Sequence, residues 1–310
     1  MKAARIFPFT FFAGVKIWLQ AFRLRTLPLA MSSIFVGSAI AHHHGAFRAY
    51  VFMLALITAI LLQILSNLAN DLGDHQHGTD NAERIGPART VQSGRISEGV
   101  MHRAMLITAT LAFISGLFLI ITALGFSLGM LAFLLLGLLA LGAAVKYTFG
   151  RDPYGYAGWG DVAVFLFFGL AGVLGTYYLH TQQWRAVVLL PAIAFGLLSA
   201  GVLNVNNMRD RVNDAASGKR TLVVRLGEQK ARTYHGMLFA AALLLLSRFV
   251  AGIESPWPNL FYLGMIPVTV HVHRVYWGKV GSRDLDPELK RLALGTFATA
   301  VALSIGLWLS

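Results

Sequence analysis

Residues 49–80 read AYVFMLALITAILLQILSNLANDLGDHQHGTD, and this stretch joins a long apolar run to a polar end. Residues 49–69 contain no charged side chain. A helix of about 20 apolar residues crosses a hydrocarbon core that is about 30 Å thick. The run ends with Asn67, Asn70, Asp71, Asp74 and Asp80. The stretch therefore predicts a membrane-spanning helix that leads into a polar site.

The rest of the chain has the same apolar character. Hydrophobic residues make up 56% of its 310 residues and charged residues 13%, and the mean hydropathy is +0.63. Soluble domains carry about 25% charged residues. Membrane β-barrel strands are only about ten residues long and alternate in polarity, unlike these runs. The sequence predicts an all-α polytopic bundle of about nine transmembrane helices, near 27–43, 49–69, 104–124, 126–145, 161–181, 187–205, 235–253, 258–277 and 291–309.

The formal net charge of +12 is unevenly placed between these segments. Of the 26 Lys and Arg residues, 23 fall on one side of the predicted membrane, leaving Arg48, Arg185 and Arg248 for the other. Basic residues concentrate in cytoplasmic loops. The distribution therefore predicts a cytoplasmic N-terminus and explains the charge without a nucleic-acid partner.

The chain divides into two parts of unequal length. Residues 1–26 have a basic start and an apolar middle interrupted by Lys16, Arg23 and Arg25, which is typical of an amphipathic segment at the membrane interface. A cleaved signal peptide is the alternative, but no convincing small-residue cleavage site follows the apolar run. Residues 27–310 form the predicted transmembrane domain. The chain has no cysteine, which excludes disulfides and thiolate chemistry.

Two long loops, near 70–103 and 206–234, follow the second and sixth predicted spans and carry most of the acidic residues. Residues four apart lie on the same face of a helix. Asn67, Asp71 and Asp74 have helical spacing in the first region, and Asn206, Asp210 and Asp214 have it in the second. We expect these two acidic helix ends to face each other across the bundle.

Basic residues accompany both acidic stripes: Arg84 and Arg89 follow the first, and Lys219 and Arg220 follow the second. Carboxylate and Asn oxygens are ligands that magnesium accepts, and bound phosphates usually complete such sites. Arg and Lys hold phosphate oxygens. Any one of these residues alone is typical of solvated surface. The matched pair of stripes indicates a metal-bridged diphosphate site.

The segments around these residues resemble the UbiA-type superfamily of intramembrane prenyltransferases. The resemblance lies in RTLP at 25–28, NLANDLGDHQHGTD at 67–80, ERIGPARTVQSGRIS at 83–97, KYTFGRDPYGYAGWGD at 146–161 and NNMRDRVNDAASGKRTL at 206–222. Within the superfamily, the chain most resembles the branch that prenylates 1,4-dihydroxy-2-naphthoate in menaquinone biosynthesis, because that branch also has the insertion seen here as Gly78 and Thr79. The last third of the chain matches only in hydropathy and helix count.

The resemblance implies a role for each site residue. Magnesium ligands would be Asn67, Asn70, Asp71, Asp74, Asp80, Asn206, Asp210 and Asp214. Diphosphate would contact Asn67, Arg84, Arg89, Lys219 and Arg220, and the catalytic group would be Asp71, Asp74, Asp210, Asp214, Lys146 and Tyr147. The implied substrates are a polyprenyl diphosphate and 1,4-dihydroxy-2-naphthoate, and the implied place is a bacterial plasma membrane with the active-site loops on the cytoplasmic side.

Two other functions are open at this point. A related enzyme could prenylate another aromatic acceptor, such as 4-hydroxybenzoate. A transporter is a different class, and intramembrane acids do mark ion pathways. Transporter sites usually lie near the bilayer midplane, whereas these acids lie where two spans enter loops. The position of the acids therefore favours an enzyme.

Overall fold

The computed structural model describes residues 11–81, 85–278 and 280–310, and the regular structure in these ranges is entirely helical. The predicted all-α bundle is thus confirmed. The α-helices are α1 (Phe11–Ala21), α2 (Leu27–His43), α3 (Ala49–Gln76), α4 (Glu98–Leu124), α5 (Leu128–Lys146), α6 (Gly160–Val164), α7 (Thr176–Thr181), α8 (Leu189–Ala216), α9 (Leu222–Leu226), α10 (Glu228–Val250), α11 (Phe261–Trp277) and α12 (Leu285–Trp308). A π-helix, Phe165–Gly175, joins α6 to α7.

Eight helical segments in the described ranges are long and apolar enough to cross a membrane, one fewer than predicted from the sequence. The eighth predicted span, 258–277, corresponds to α11, which has 17 residues and contains Pro267. A 3-10 turn, Trp257–Leu260, leads directly into this helix. The predicted helix is therefore present, but it is not among the eight candidate spans. The orientation of the bundle stays a prediction.

The predicted boundary between residues 26 and 27 coincides with a break in the chain's helical path. Helix α1 ends at Ala21, and a 3-10 turn over Leu24–Thr26 leads into α2. Pro28 lies at the start of α2, where a missing backbone N–H costs nothing. Arg23 takes a left-handed conformation with φ of 50° in this turn. The division into two domains remains a prediction.

The largest buried core lies in the second half of the chain, where α8, α10, α11 and α12 pack together with α2. At Gly264 of α11 a Cβ would overlap the backbone of Thr299 in α12, so only glycine permits this close packing. Helix α5 is the opposite case, because it contains no buried residue. One side of the bundle is therefore dense and the other is thinly walled.

The π-helix is 11 residues long, whereas such helices usually occur as single turns and often at functional sites. The Ser33 hydroxyl of α2 donates a hydrogen bond to the Phe168 carbonyl within it. Phe167, Phe168 and Ala171 on this helix line the main internal cavity. The irregular helix thus shapes a cavity wall.

Candidate active site

A cavity of about 390 Å³ runs between α2, α3, α5, the π-helix and α8. Its polar end contains Asn67, Asn70, Asp74, Thr79, Asp80, Arg89, Asn206, Asp210, Asn213, Asp214 and Lys219. Its other end is apolar and includes Ile34, Leu119, Ile120, Phe133 and Leu179. One continuous space therefore offers a charged site and an apolar channel.

The two acidic helix ends meet at the polar end of the cavity, as the sequence predicts. Lys219 Nζ lies 3.4 Å from Asp74 Oδ1 on α3 and 3.9 Å from Asp214 Oδ1 on α8. The Asn213 amide donates a hydrogen bond of 2.8 Å to the Thr79 carbonyl. A cation and a direct hydrogen bond therefore connect the two motifs.

Asp74 is the most connected carboxylate of the first motif. The Tyr156 hydroxyl donates to its Oδ1 at 2.9 Å, and Arg89 Nη2 lies 3.7 Å from its Oδ2. Arg89 Nε also lies 3.4 Å from Asp80 Oδ2. Asp74 and Asp80 are both buried, at 5% and 6% exposure. Arg89 therefore balances the charge of two buried acids.

Asp71 contacts the loop after α3, and its predicted role as a metal ligand stays a prediction. Its Oδ2 accepts hydrogen bonds from the Thr90 backbone N–H and hydroxyl, and its Oδ1 accepts one from the Val91 N–H. The side chain is buried and does not line the cavity. Asp71 thus anchors the loop that carries Arg89, and the structure does not bring it to the other predicted metal ligands.

The two asparagines of α3 contact neighbouring chain segments as well as the cavity. The Asn67 amide donates to the Phe22 carbonyl at 2.9 Å and to Thr26 Oγ1 at 3.0 Å. Asn70 Oδ1 accepts a hydrogen bond of 2.7 Å from Thr148. Asn67 therefore docks the N-terminal turn onto the site, while Asn70 joins α3 to Thr148 and lines the cavity.

All three predicted residues of the second motif line the cavity: Asn206, Asp210 and Asp214. Arg209 binds this group from behind, with Nε 2.8 Å from Asp210 Oδ1 and Nη2 2.6 Å from Asp210 Oδ2. The same Nη2 donates to Asn206 Oδ1 at 3.0 Å. From the sequence, Arg209 was interpreted only as one of the basic residues that set the membrane topology. Its position directly before Asp210 was the signal that it could contact that acid.

The remaining predicted residues divide into those inside and those outside the cavity. Tyr147 lines it. Lys146 is exposed, and its amine donates to the Arg151 carbonyl. Arg220 is also exposed, so Lys219 is the basic residue that this turn contributes. Arg84 lies outside the described residues.

The loop between α5 and α6 supplies a residue that sequence reasoning missed. Tyr156 donates to Asp74, hydrogen-bonds Thr79 Oγ1 at 2.5 Å and lies under Lys219 Nζ, which is 5.0 Å from its ring centroid. Its position in DPYGYAGWGD, part of one of the segments that carry the family resemblance, was the signal that could have identified it as a site residue. Tyr156 therefore joins the first motif to the basic residue of the second.

Ionisation at the site follows from burial and from these partners. Burial alone lowers the pKa of Lys219, but Asp74 and Asp214 reverse this effect, so its pKa is raised overall and the amine stays charged. Burial raises the pKa of Tyr156 and of Tyr147, which keeps both phenols protonated. The site thus holds a fixed cation and neutral hydroxyl groups.

The oxygen donors at the polar end fit a magnesium ion by their chemistry. Asn70 and Asp74 offer an amide and a carboxylate on one side, and Asn206, Asp210 and Asp214 offer the same types on the other. Within the described ranges no three acidic, His or Cys side chains already form a metal-binding cluster. Their carboxylates are paired with Arg89, Arg209 and Lys219 instead, so a metal would have to replace protein cations.

The sequence matches a known protein family and several characterised proteins. The UbiA prenyltransferase family model matches residues 30–308. The chain is 44% identical over 296 residues to 1,4-dihydroxy-2-naphthoate octaprenyltransferase of Haemophilus influenzae, covering 94% of this chain and 96% of that protein.

Two solved structures share the fold. The apo structure of a UbiA homolog from Aeropyrum pernix K1 has a TM-score of 0.67 at 18% identity, covering 91% of this chain and 97% of the other. A UbiA homolog from Archaeoglobus fulgidus bound to GPP and Mg²⁺ has a TM-score of 0.62 at 16% identity, covering 93% and 99%. At these identities the likeness concerns the fold alone.

Proposed function

The chain belongs to the UbiA prenyltransferase family, and from that premise we propose that it transfers a polyprenyl group from a polyprenyl diphosphate to 1,4-dihydroxy-2-naphthoate in menaquinone biosynthesis. The observation that carries the proposal is the single cavity, whose polar end joins both acidic motifs and whose other end is an apolar channel. The acceptor follows from the 44% identical relative, which is named for that substrate.

The polar end provides the binding groups for a diphosphate. Arg89 offers a planar fork and Lys219 a point charge, and both lie beside Asp74. Asn70, Asp74, Asn206, Asp210 and Asp214 would hold Mg²⁺, the ion bound together with GPP in the Archaeoglobus homolog. When bound, Mg²⁺ supplies positive charge that stabilises the departing diphosphate. The metal and these ligand roles are part of the proposal.

The reaction begins when the carbon–oxygen bond of the allylic diphosphate breaks and its electron pair leaves with the diphosphate. Arg89 and Lys219 stabilise the negative charge that develops there. The electron-rich ring of the naphthoate attacks the allylic cation and forms a carbon–carbon bond. Loss of the ring carboxylate as carbon dioxide leaves its bonding electron pair in the ring and balances the positive charge that the prenyl cation brings, so no net proton is released. The aromatic ring is restored, and the product is the hydroquinone precursor of demethylmenaquinone.

The walls of the cavity protect the cation during this step. Tyr147 and Tyr154 both line the space, and their ring centroids are 5.5 Å apart in an edge-to-face arrangement. Ring faces attract cations. Phe167 and Phe168 of the π-helix make the channel apolar, which excludes water that would quench the cation. The channel also accommodates an isoprenoid tail.

We place the site on the cytoplasmic side of a bacterial plasma membrane because the loops that form it lie on the predicted side that carries 23 of the 26 Lys and Arg residues. The diphosphate and the naphthoate are polar at the reacting end, so both can reach the polar end of the cavity from that side. The tail remains in the apolar part.

The test is an assay of the purified protein in detergent with 1,4-dihydroxy-2-naphthoate, a polyprenyl diphosphate and Mg²⁺, with and without a chelator. We expect chelator-sensitive release of diphosphate and a prenylated, decarboxylated product. Asp210→Asn should abolish both, whereas Asp152→Asn, whose side chain is 91% exposed, serves as the matched control. Product with 4-hydroxybenzoate alone would overturn the acceptor, and no product with any aromatic acceptor would overturn the proposal.

A further inference from the structure

Arg209 is one of the largest fully buried side chains, and it contacts two carboxylates at once. Its Nε and Nη2 bind both oxygens of Asp210, and its Nη1 lies 2.6 Å from Asp286 Oδ1. Its side chain is 1% exposed, and that of Asp286 is 32% exposed. The guanidinium therefore lies between an acid that lines the cavity and an acid that reaches solvent.

Asp286 has a second cationic neighbour. Arg25 Nη1 lies 3.4 Å from the same Oδ1, and both side chains of this pair are about one-third exposed, at 29% and 32%. Arg25 belongs to the N-terminal segment and Asp286 to the first turn of α12. Three distant parts of the chain thus meet beneath the second acidic motif, and two arginines share one carboxylate.

The contacts of Arg209 overlap with the proposed metal site. Asp210 and Asn206 would give oxygens to Mg²⁺, yet Arg209 already donates hydrogen bonds to both. If the metal takes Asp210, the guanidinium loses a bidentate partner while it remains buried. An unpaired buried charge is strongly destabilising. Asp286 is the carboxylate in place to hold the displaced guanidinium.

We infer that Arg209 is a positioning residue that orders Asp210 and Asn206 before the metal arrives, and that Asp286 accepts its charge when the metal displaces it. This inference rests on the proposed function, because it assumes that a divalent cation binds at Asp210. Arg25 opposes the exchange, since it competes with Arg209 for the same oxygen of Asp286.

The exchange makes the two outer residues act in opposite directions. In the metal-bound state Asp286 is the only carboxylate left to Arg209, so Asp286→Asn weakens metal binding. Arg25→Gln releases Asp286 to pair fully with Arg209, and metal binding becomes tighter. For partly exposed ion pairs we expect changes of about threefold to tenfold for Asp286→Asn and about twofold for Arg25→Gln.

The experiment measures binding of Mn²⁺, in place of Mg²⁺, by electron paramagnetic resonance with inorganic pyrophosphate and no acceptor. The natural sequence, Asp286→Asn, Arg25→Gln and Arg209→Gln are compared, together with Arg209→Gln/Asp286→Asn. Arg211→Gln is the matched control, because Arg211 pairs with the exposed Glu228 and not with the cavity. We expect Asp286→Asn to weaken binding only when Arg209 is present.

A double-mutant cycle separates charge exchange from a simple electrostatic field. If Asp286→Asn weakens Mn²⁺ binding equally in the Arg209→Gln background, the carboxylate acts at a distance and the inference is overturned. If the natural sequence binds no Mn²⁺, the metal of the proposed function fails instead. Should Arg209→Gln not fold, Arg209→Met replaces it, since methionine fills the buried space and carries no charge that Asp286 could accept.

Discussion

The two acidic motifs have the same residue types at similar helical spacing, four and three residues apart on α3 and four and four on α8, but their side chains make different contacts. On α3, Asp71 holds the loop at Thr90 and Val91, and Asn67 docks the N-terminal turn. On α8, Asn206, Asp210 and Asp214 all line the cavity. The first motif uses Asn67 and Asp71 to hold neighbouring segments in place around the site. All three polar residues of the second motif face the cavity.

The chain that follows each helix accounts for this difference. After α3, some twenty residues return behind the helix and need an anchor, which Asp71 supplies. After α8, only residues 217–221 separate the helix from α9. Thr90 and Val91, in the long segment after α3, cover the face of α3 that carries Asp71. The short turn after α8 leaves Asp210 and Asp214 open to the cavity. Helical spacing alone does not distinguish these cases.

The largest effect should come from removing one charge at a cavity-lining acid of either motif. We expect Asp74→Asn and Asp210→Asn each to lower kcat by about 100- to 1000-fold, because each loses a carboxylate proposed to hold the metal. Steady-state kinetics of the purified variants, with thermal unfolding in detergent as the folding control, measures this. A kcat within tenfold of the natural value in both folded variants would contradict the assignment.

The next comparison concerns the adjacent basic residues Lys219 and Arg220. Lys219→Gln should lower kcat/KM for the diphosphate by about 100-fold, because it removes the buried cation between Asp74 and Asp214. Arg220→Gln should change it by less than about twofold, since Arg220 is exposed and lies outside the cavity. Equal losses in the two variants would show that the turn, and not Lys219, holds the diphosphate.

Asp71→Asn tests whether the first motif supports the loop. The substitution replaces an oxygen that accepts a backbone hydrogen bond with a donor, which costs about 1–3 kcal/mol of stability. We expect KM for the diphosphate to rise about tenfold through displacement of Arg89, while kcat changes less than about threefold. A loss of kcat as large as that of Asp210→Asn would place Asp71 among the catalytic groups after all.

The smallest effect is expected at Lys146. Its amine contacts the Arg151 carbonyl at the surface, so Lys146→Ala should change kcat and KM by less than about twofold. Tyr147→Ala is the neighbouring comparison, because Tyr147 lines the cavity, and it should lower kcat more. The measurement is the steady-state rate of the two variants at equal detergent concentration. If Lys146 held the acceptor carboxylate, Lys146→Ala would lower the rate more than Tyr147→Ala does.

The helices of the fold were predictable because the apolar runs are close to the length that crosses a membrane. Eight candidate spans agree with that prediction. Helix α11 was predicted as well and is present, although it is not among these eight. The pairing of the two motifs was also predictable, because their composition repeats. These features depend on local sequence and on its period.

The parts of the site that could not be predicted depend on contacts between distant residues. Tyr156 reaches Asp74 across 82 positions of sequence, and Arg209 reaches Asp286 across 77. Neither spacing has a period, and Asp286 lies in the third of the chain where no motif was recognised. The contact of Asp71 with Thr90, which is 19 residues away, was missed for the same reason.

Helix α5 has a consequence for how such enzymes diversify. None of its residues is buried, and Leu136, Gly137 and Ala140 line the channel. A substitution there leaves no hole in a packed core, so it avoids the usual stability cost of changing side-chain volume. Substitutions along α5 can therefore change the shape of the channel at little cost in stability, whereas substitutions on the dense side of the bundle cannot.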